Sequence, residues 1–493
     1  MIFSRSPFQA AAALTCTYAA TTLSNANAEA TLNSSPPSSP SPVKVFSPVG
    51  NGMPSYWHTR KAACLSPPAT RPTPGHYSRV VVIGAGMSGA SAAMHLAQEG
   101  VSVTLMDARG VAEGATGRNG GFLFPPALAT LFLAAASGKG YESVRNAAEL
   151  LFFERENRAS IRAFVTSRGI SCELDKNIDV YQVFDSVQQL KDKVGILWPI
   201  RSLAFLAGVD VLATRSELCI ALNIPEEGPW CSGLRIQGGA DTFCAADVTK
   251  QCVVDAVAAG AEWLPQTCAI RLEEAEDGSG VTVITTSGSI QCDKVIVATN
   301  AYVPSLVPSL ASFITPIRNH VGVSSPLPAL NKANPGARCG ISGEDGFVYL
   351  HQRPDGCVVL GGFRNQEAGK GVGEADDSYL VDSVADSVKH FVPSRFAFEK
   401  AEGAGVQAQV DQVWTGVIGW SCDDLPWVGP VPNHPSVYVC GGFSGHGLTQ
   451  TFLCGKAVAA MALGQKPTHF VDRFLPSLDR QNSANLVAGH PDP

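Results

Sequence analysis

The sequence predicts an α/β protein: a Rossmann-like dinucleotide-binding domain interleaved with a mixed β-sheet substrate domain of α+β character. Three observations predict it. An apolar strand pattern, RVVVI at residues 79–83, runs straight into a glycine-rich turn and a small-residue helix. Two further glycine-rich segments lie far downstream, at residues 114–121 and 441–447. Between them stand alternating strand patterns such as NHVGVSS, GFVYLHQ and GCVVLGGFR. A chain of 493 residues exceeds one hydrophobic core, so two or three units are expected.

The N-terminus reads as an address rather than as fold. Residues 1–28 hold one charge, Arg5, then a mild apolar stretch and Ala26-Asn27-Ala28, an A-x-A secretory cleavage pattern. The stretch is also rich in Ser, Thr and Ala and free of acid until Glu29, which suits an organellar transit peptide. Secretory or organellar targeting is therefore expected, with a cytoplasmic protein as the alternative. The stretch is too short and too polar to span a bilayer, and no other apolar run of membrane length occurs. Residues 29–77 form a Pro/Ser-rich linker and lead-in that buries too little to order itself.

The folded body opens with the dinucleotide turn Gly84-Ala85-Gly86-Met87-Ser88-Gly89. Gly84 makes the tight turn, Gly86 admits a pyrophosphate to the backbone, and Gly89 lets the helix pack on the strand. Helix N-terminal N–H groups and their partial positive charge then face the phosphates. A second strand, VSVTLM, ends at Asp107, placed to accept from ribose hydroxyls, with Ala108 and Arg109 beside it. NAD and FAD share this motif.

Composition narrows the partners. Hydrophobic residues are 45% and charged residues 16%, which is globular, and the net charge is −7. That balance argues against nucleic acid and anionic lipid. The 14 cysteines form neither a CxxC pair nor an even framework, so buried free thiols are expected and no metal site is predicted.

The next segment is Gly114-Ala115-Thr116-Gly117-Arg118-Asn119-Gly120-Gly121, a loop able to press backbone N–H groups and Arg118 against a ligand. Here the sequence resembles the FAD-dependent amine and amino-acid oxidases of the D-amino-acid oxidase superfamily. Within it the chain looks most like the gamma-glutamylputrescine oxidase type and fungal FAD-dependent oxidoreductases. Pro54-Ser55-Tyr56-Trp57 resembles a short segment that precedes the dinucleotide domain in such proteins. The resemblance covers roughly Ser55 to Gly464 and implies an FAD cofactor, held non-covalently. It also implies that Ala269 or Ile270 meets the adenine through its backbone, and that Ala298 and Thr299 close the sheet over the cofactor. Near the C-terminus, a strand ending in Gly441-Gly442, a turn through Gly445, His446 and Gly447, and a helix from about Leu448 and Thr449 fit a second helix end aimed at FAD.

These segments divide the chain. Residues 78–140, 235–315 and 410–465 are expected to form the FAD-binding domain, residues 141–234 and 316–409 the substrate domain, and residues 466–493 a tail. Tyr349 and His351 share one strand face by their period of two. With His446 in its glycine-rich turn, they are the candidate catalytic residues. Relatives present an arginine to a substrate carboxylate in a stretch that here reads WTGVIGW, residues 414–420. Its lack shifts weight towards an amine, though Arg318, Arg353 or Arg364 could serve instead. Cys422 is a candidate flavin tether whose offset does not match the relatives that use one.

The expected chemistry is oxidation of a C–N bond in an amine or amino acid. Hydride passes to flavin N5, the imine is hydrolysed, and O2 reoxidises the flavin to give hydrogen peroxide. A quinone- or protein-coupled dehydrogenase of the same fold and a non-catalytic FAD-binding scaffold are the alternatives.

Overall fold

The structure is a computed structural model and describes residues 50, 52–59, 68–70, 76–124, 141–197, 208–343, 346–398 and 408–480. The expected targeting segment, most of the linker and residues 481–493 of the tail lie outside the described residues.

In chain order the first strands are β1 (Tyr77–Ile83), β2 (Val103–Met106), β3 (Phe122–Leu123), β4 (Asp175–Phe184), β5 (Val209–Leu212) and β6 (Ser232–Thr242). Then come β7 (Glu262–Leu264), β8 (Ala269–Glu274), β9 (Val281–Thr285), β10 (Gly288–Val297), β11 (Ile314–Pro326) and β12 (Cys339–Gly343). The last are β13 (Val348–Gln352), β14 (Cys357–Gly362), β15 (Val410–Ser421), β16 (Trp427–Val431) and β17 (His434–Gly441). The main helices are α1 (Met87–Gln98), α2 (Tyr141–Arg168), α3 (Ala245–Ala258), α4 (Asp382–Arg395) and α5 (Thr451–Ala462).

The first sheet runs β16-β17-β10-β1-β2-β7, with the hairpin β8-β9 attached to β10. Its central strands, from β17 through β7, are parallel. Val80, Val81 and Val82 of β1 are at most 1% exposed, because both faces of a parallel sheet are covered. On one face α1 packs between α3 and α5. A Cβ on Gly455 of α5 would stand 2.3 Å from the Ser88 carbonyl oxygen, so only glycine permits that approach. The other face is closed by an apolar cluster that includes Val295, Phe313 and Trp427.

The second sheet is mixed and nine-stranded, in the order β15-β11-β14-β13-β12-β4-β6-β3, with β5 on β6. The β12-β4 pair is parallel and its other pairs antiparallel. Three strands correct the expected division. β15, β3 and all of β6 but its first three residues fall within segments assigned to the FAD-binding domain, yet all pair in the mixed sheet. Chain continuity misled there, since WTGVIGW runs into the D-x-x-P stretch without a turn signal. The α/β class with two interleaved sheets stands as predicted.

Candidate active site

Parallel pairing puts the carboxyl ends of β1, β2, β10 and β17 on one edge, where open α/β sheets bind ligands. The turn after β1 is built as its glycines require. Gly84 has φ +107°, and a Cβ on it would lie 2.6 Å from the Ala298 carbonyl oxygen. A Cβ on Gly89 would lie 1.8 Å from the Gly84 oxygen. Gly86 caps α1 without any side-chain hydrogen bond, so the helix start is open to an anion. Asp107 accepts from the Ala85 N–H at 2.7 Å and the Arg109 N–H at 2.8 Å, which ties the turn to β2. Burial pushes its carboxyl pKa up, against those two hydrogen bonds. Ala108 beside it is half-buried, and Ser88 in α1 is buried.

The second glycine segment meets the first. Thr116 Oγ1 accepts from the Met87 N–H at 3.1 Å, in the first turn of α1. Gly114 precedes a 3₁₀ turn, Ala115–Gly117, and Asn119 then braces the loop. It donates to the Thr116 carbonyl at 2.6 Å and accepts from the Gly121 N–H at 2.7 Å. From below, Ser55 donates to the Gly117 carbonyl and Trp57 Nε1 to the Asn119 carbonyl, each at 2.5 Å. This gives the Ser55-Tyr56-Trp57 segment a structural job.

Two arginines there require correction. Arg118 does not press on a ligand. It is 2% exposed, donates to the Glu113, Met53 and Thr415 carbonyls, and pairs with Asp377 at 3.2 Å. Arg109 turns its side chain to the same Asp377 at 2.9 Å. Sequence offered no signal for Asp377, which lies in a motif-free loop before α4.

The segment that leads into β8 is tied to the chain just after β2. Thr267 N–H donates to the Asp107 carbonyl and Gln266 N–H to that of Arg109, each at 2.8 Å. Ala269 is half-buried, while Ile270 is 52% exposed at an irregularity in the β8-β9 ladder. At the end of β10, Ala298 is buried and Thr299 holds a buried Oγ1 with no partner. Asn300, at φ +49°, accepts from the N–H groups of Gly442 at 3.1 Å and Phe443 at 3.3 Å. It thereby sets the third glycine turn, a role its residue type did not announce.

That turn passes through Gly445, at φ +81°, to His446. The His446 side chain is solvent-accessible although protein surrounds it, the position of a cleft-lining group. This crowding, then the Arg364 guanidinium, holds its pKa down at about 4. A 3₁₀ turn, Gly447–Thr449, follows, and α5 starts at Thr451 rather than at Leu448. The cause is side-chain competition for that turn. Asn157 donates to the Leu448 carbonyl at 3.1 Å, and Thr449 Oγ1 donates to Glu154 at 3.2 Å.

The mixed sheet supplies the facing wall. Tyr349 and His351 both reach Gly120: a Cβ there would lie 2.5 Å from Tyr349 Cε2, and His351 Nε2 donates to the Gly120 carbonyl at 2.7 Å. His351 is 1% exposed, stacks on Phe122 and is spent on the loop, so it positions rather than touches a substrate. Tyr349 stays half-buried at the wall. Burial raises its hydroxyl pKa, while Arg364 and the Asn319 amide pull the other way. Phe347, Trp420 and Asn319 complete this wall and escaped the sequence reading, since single aromatics or amides on strands carry no motif. Cys422 is partly buried, and burial with Asp423 pushes its thiol up to about 11, which disfavours the thiolate that a tether requires.

Three glycine segments on one carboxyl edge, under a mixed-sheet wall, define a dinucleotide-dependent oxidoreductase. The chain belongs to the FAD-dependent oxidoreductase (DAO) family, whose model matches residues 79–461, and its cofactor is FAD. The open start of α1, the unpartnered Thr299 hydroxyl and the glycine cradle fit that cofactor. Over 391 residues it is 27% identical to the probable oxidoreductase OrdL of Rhizobium meliloti, covering 78% of this chain and 83% of that one. It is 24% identical over 392 residues to the gamma-glutamylputrescine oxidoreductase of Escherichia coli, with coverage of 78% and 83%. In fold it is similar to glycine oxidase from Geobacillus kaustophilus. That match has a TM-score of 0.64 at 17% identity and covers 82% of this chain and 99% of the other.

Proposed function

We propose that the protein oxidises a C–N single bond of an amine or amino acid, releases an imine that water hydrolyses, and passes the electrons to O2. The observation that carries this reading is Gly120. It joins the second glycine loop to Tyr349 and His351 of the mixed sheet, which supports a reacting centre beneath that sheet. The relatives named for a glutamylputrescine and for glycine, both of which carry an amine, support the substrate class.

Bound non-covalently, FAD would supply the two-electron acceptor for the C–N bond, and its reoxidation would consume O2 and a proton to give hydrogen peroxide. The chain does the rest. The open start of α1 takes the pyrophosphate, and Asp107 keeps acceptor capacity for the ribose. Tyr349, Phe347 and Trp420 exclude water from the reacting carbon. Arg364 nearby and a desolvated wall both favour the neutral amine, the form able to lose hydride, by lowering the pKa of a bound ammonium. His446, held neutral above about pH 4, offers an acceptor to the amine proton.

An absorbance spectrum of the purified protein, followed by anaerobic titration with amines and amino acids, tests the reading. Bleaching of the flavin band by a member of the panel, then peroxide on admitting air, is expected. An FAD-loaded protein bleached by no amine or amino acid overturns it. Reoxidation by a dye but not by oxygen replaces the oxidase with a dehydrogenase.

A further inference from the structure

Ser55 and His58 make three polar contacts under the second glycine loop, and they are short of a hydrogen. Ser55 is buried just before a short helical turn, Tyr56–Thr59, that carries the half-buried His58. Ser55 Oγ stands 2.5 Å from the Gly117 carbonyl oxygen and 2.9 Å from His58 Nδ1. His58 Nε2 stands 3.1 Å from the Ala112 carbonyl oxygen. A carbonyl can only accept, so the serine hydrogen goes to Gly117. The Nδ1 contact then needs a ring hydrogen, and the Nε2 contact needs another. A neutral imidazole carries one such hydrogen and an imidazolium two. All three bonds form together only on the protonated ring.

What the ring holds is the frame of the cofactor site. Ala112 has φ +59°, rare for a residue with a side chain, and its N–H donates to the Ala85 carbonyl of the dinucleotide turn at 3.0 Å. Between the two held carbonyls lies Thr116, whose Oγ1 takes the Met87 N–H in the first turn of α1. A Cβ on Gly117 would strike both the Ala112 oxygen and His58 Nε2, so only glycine lets ring and loop meet. The charges that face the ring are Arg118 and Glu113 from the loop and Lys250 from α3. Burial, opposed by the Ala112 carbonyl, holds its pKa below the ordinary histidine value. Near neutral pH one of the three contacts therefore lacks its hydrogen.

We infer that His58 is a positioning residue for FAD: with Ser55 it clamps the loop from Ala112 to Gly117 against the dinucleotide turn, and the clamp closes fully on the imidazolium. FAD that fixes this loop also fixes both carbonyls, so cofactor and proton favour each other. By linkage, FAD binding takes up a proton at His58, and FAD is held more tightly as pH falls below about 6.5. Above about pH 7 the ring is neutral with and without FAD, and affinity is level. The inference concerns the cofactor alone and does not depend on which bond the enzyme oxidises.

The test is equilibrium dialysis of the FAD-loaded full chain from about pH 5 to about pH 8, with H58Q and S55A. The wild type should hold FAD roughly tenfold more tightly at the acid end, the worth of one charge-assisted hydrogen bond. H58Q can still donate to Ala112 but cannot titrate. It should match the wild type near pH 8 and fall roughly tenfold behind near pH 5. In S55A the ring needs one hydrogen only, for Ala112, so the acid gain should vanish there too. Acid effects common to all three proteins cancel in the affinity ratios at each pH.

A ratio of H58Q to wild type that stays constant across the range overturns the inference and leaves His58 a fixed hydrogen bond. An acid gain kept in S55A overturns it as well. Should both variants lose FAD at every pH, calorimetry of FAD binding to the stripped wild type decides. Near pH 6, in two buffers of different ionisation enthalpy, it should show net proton uptake, and no uptake overturns the clamp.

Discussion

His351 on β13 donates from Nε2 to the carbonyl of Gly120, 2.7 Å away, and so bolts the mixed sheet to the glycine loop on the FAD side. The bond is buried, and the carbonyl it serves belongs to a loop that only glycine can form this close to Tyr349. In H351L that carbonyl loses its donor at a cost of about 1–3 kcal/mol, so FAD should be held roughly tenfold to a hundredfold less tightly. H351Q, which can still donate, should recover part of the loss. Equilibrium dialysis of FAD measures both, and unchanged affinity in H351L would show that the bond is incidental.

Gly89 and Gly100 separate a packing need from a backbone need. A Cβ at Gly89 strikes the Gly84 oxygen at 1.8 Å and forces α1 off β1, so G89A should be isolated without flavin. Gly100 has φ +74° but open space around it. G100A should lose about 1–2 kcal/mol of stability and keep its flavin. The flavin-to-protein absorbance ratio distinguishes them.

Asp377 neutralises two buried arginines at once. D377N would remove the carboxylate that Arg109 and Arg118 share in a site where both are at most 5% exposed. Removing one partner of a buried pair costs about 3–5 kcal/mol, so D377N should unfold at clearly lower urea. Fluorescence-monitored urea titration of the flavin-loaded protein reads this, and an unshifted midpoint would mean that solvent reaches the pair.

Much of the cofactor side was legible because its geometry leaves a residue-type signature. Gly84 is forced by its dihedral and a backbone contact and Gly89 by a backbone contact, while Gly86 keeps the helix start bare of a side chain. Arg118 shows the limit of that reasoning. A cation in a glycine loop reads as a ligand contact, yet its partner Asp377 lies far along the chain, and pairing at such separation leaves no local pattern. The substrate wall was the least legible part. Phe347, Trp420 and Arg364 come from three strand ends, and only the topology of β13, β14 and β15 brings them together.

Stability should fall with acid in a window set by buried histidines before the carboxylates contribute. Burial holds the folded pKa of His320 and His351 at about 4, against an ordinary value near 6.5, and each is 1% exposed. Above about pH 6.5 neither state binds the proton, and the folded state bears no penalty. Below it the unfolded chain takes up a proton that the folded chain refuses, so stability drops by roughly 1.4 kcal/mol per pH unit for each histidine until pH approaches 4. Asp241 behaves differently: burial would raise its pKa, but Arg162 and Arg158 outweigh that and hold it low. Its contribution is therefore present above about pH 4 and is lost only below it. Urea midpoints at pH 7.5, 6.5, 5.5 and 4.5 should be level across the first two and then decline. His446 is also held at about 4 and adds the same slope. Replacing His320 with Gln therefore removes one titrating group of three and should shallow the decline by about a third, since the Gln carbonyl can still accept the Val381 N–H that His320 Nε2 takes at 3.0 Å. A decline that keeps its slope in H320Q would mean that His320 protonates freely in the folded state.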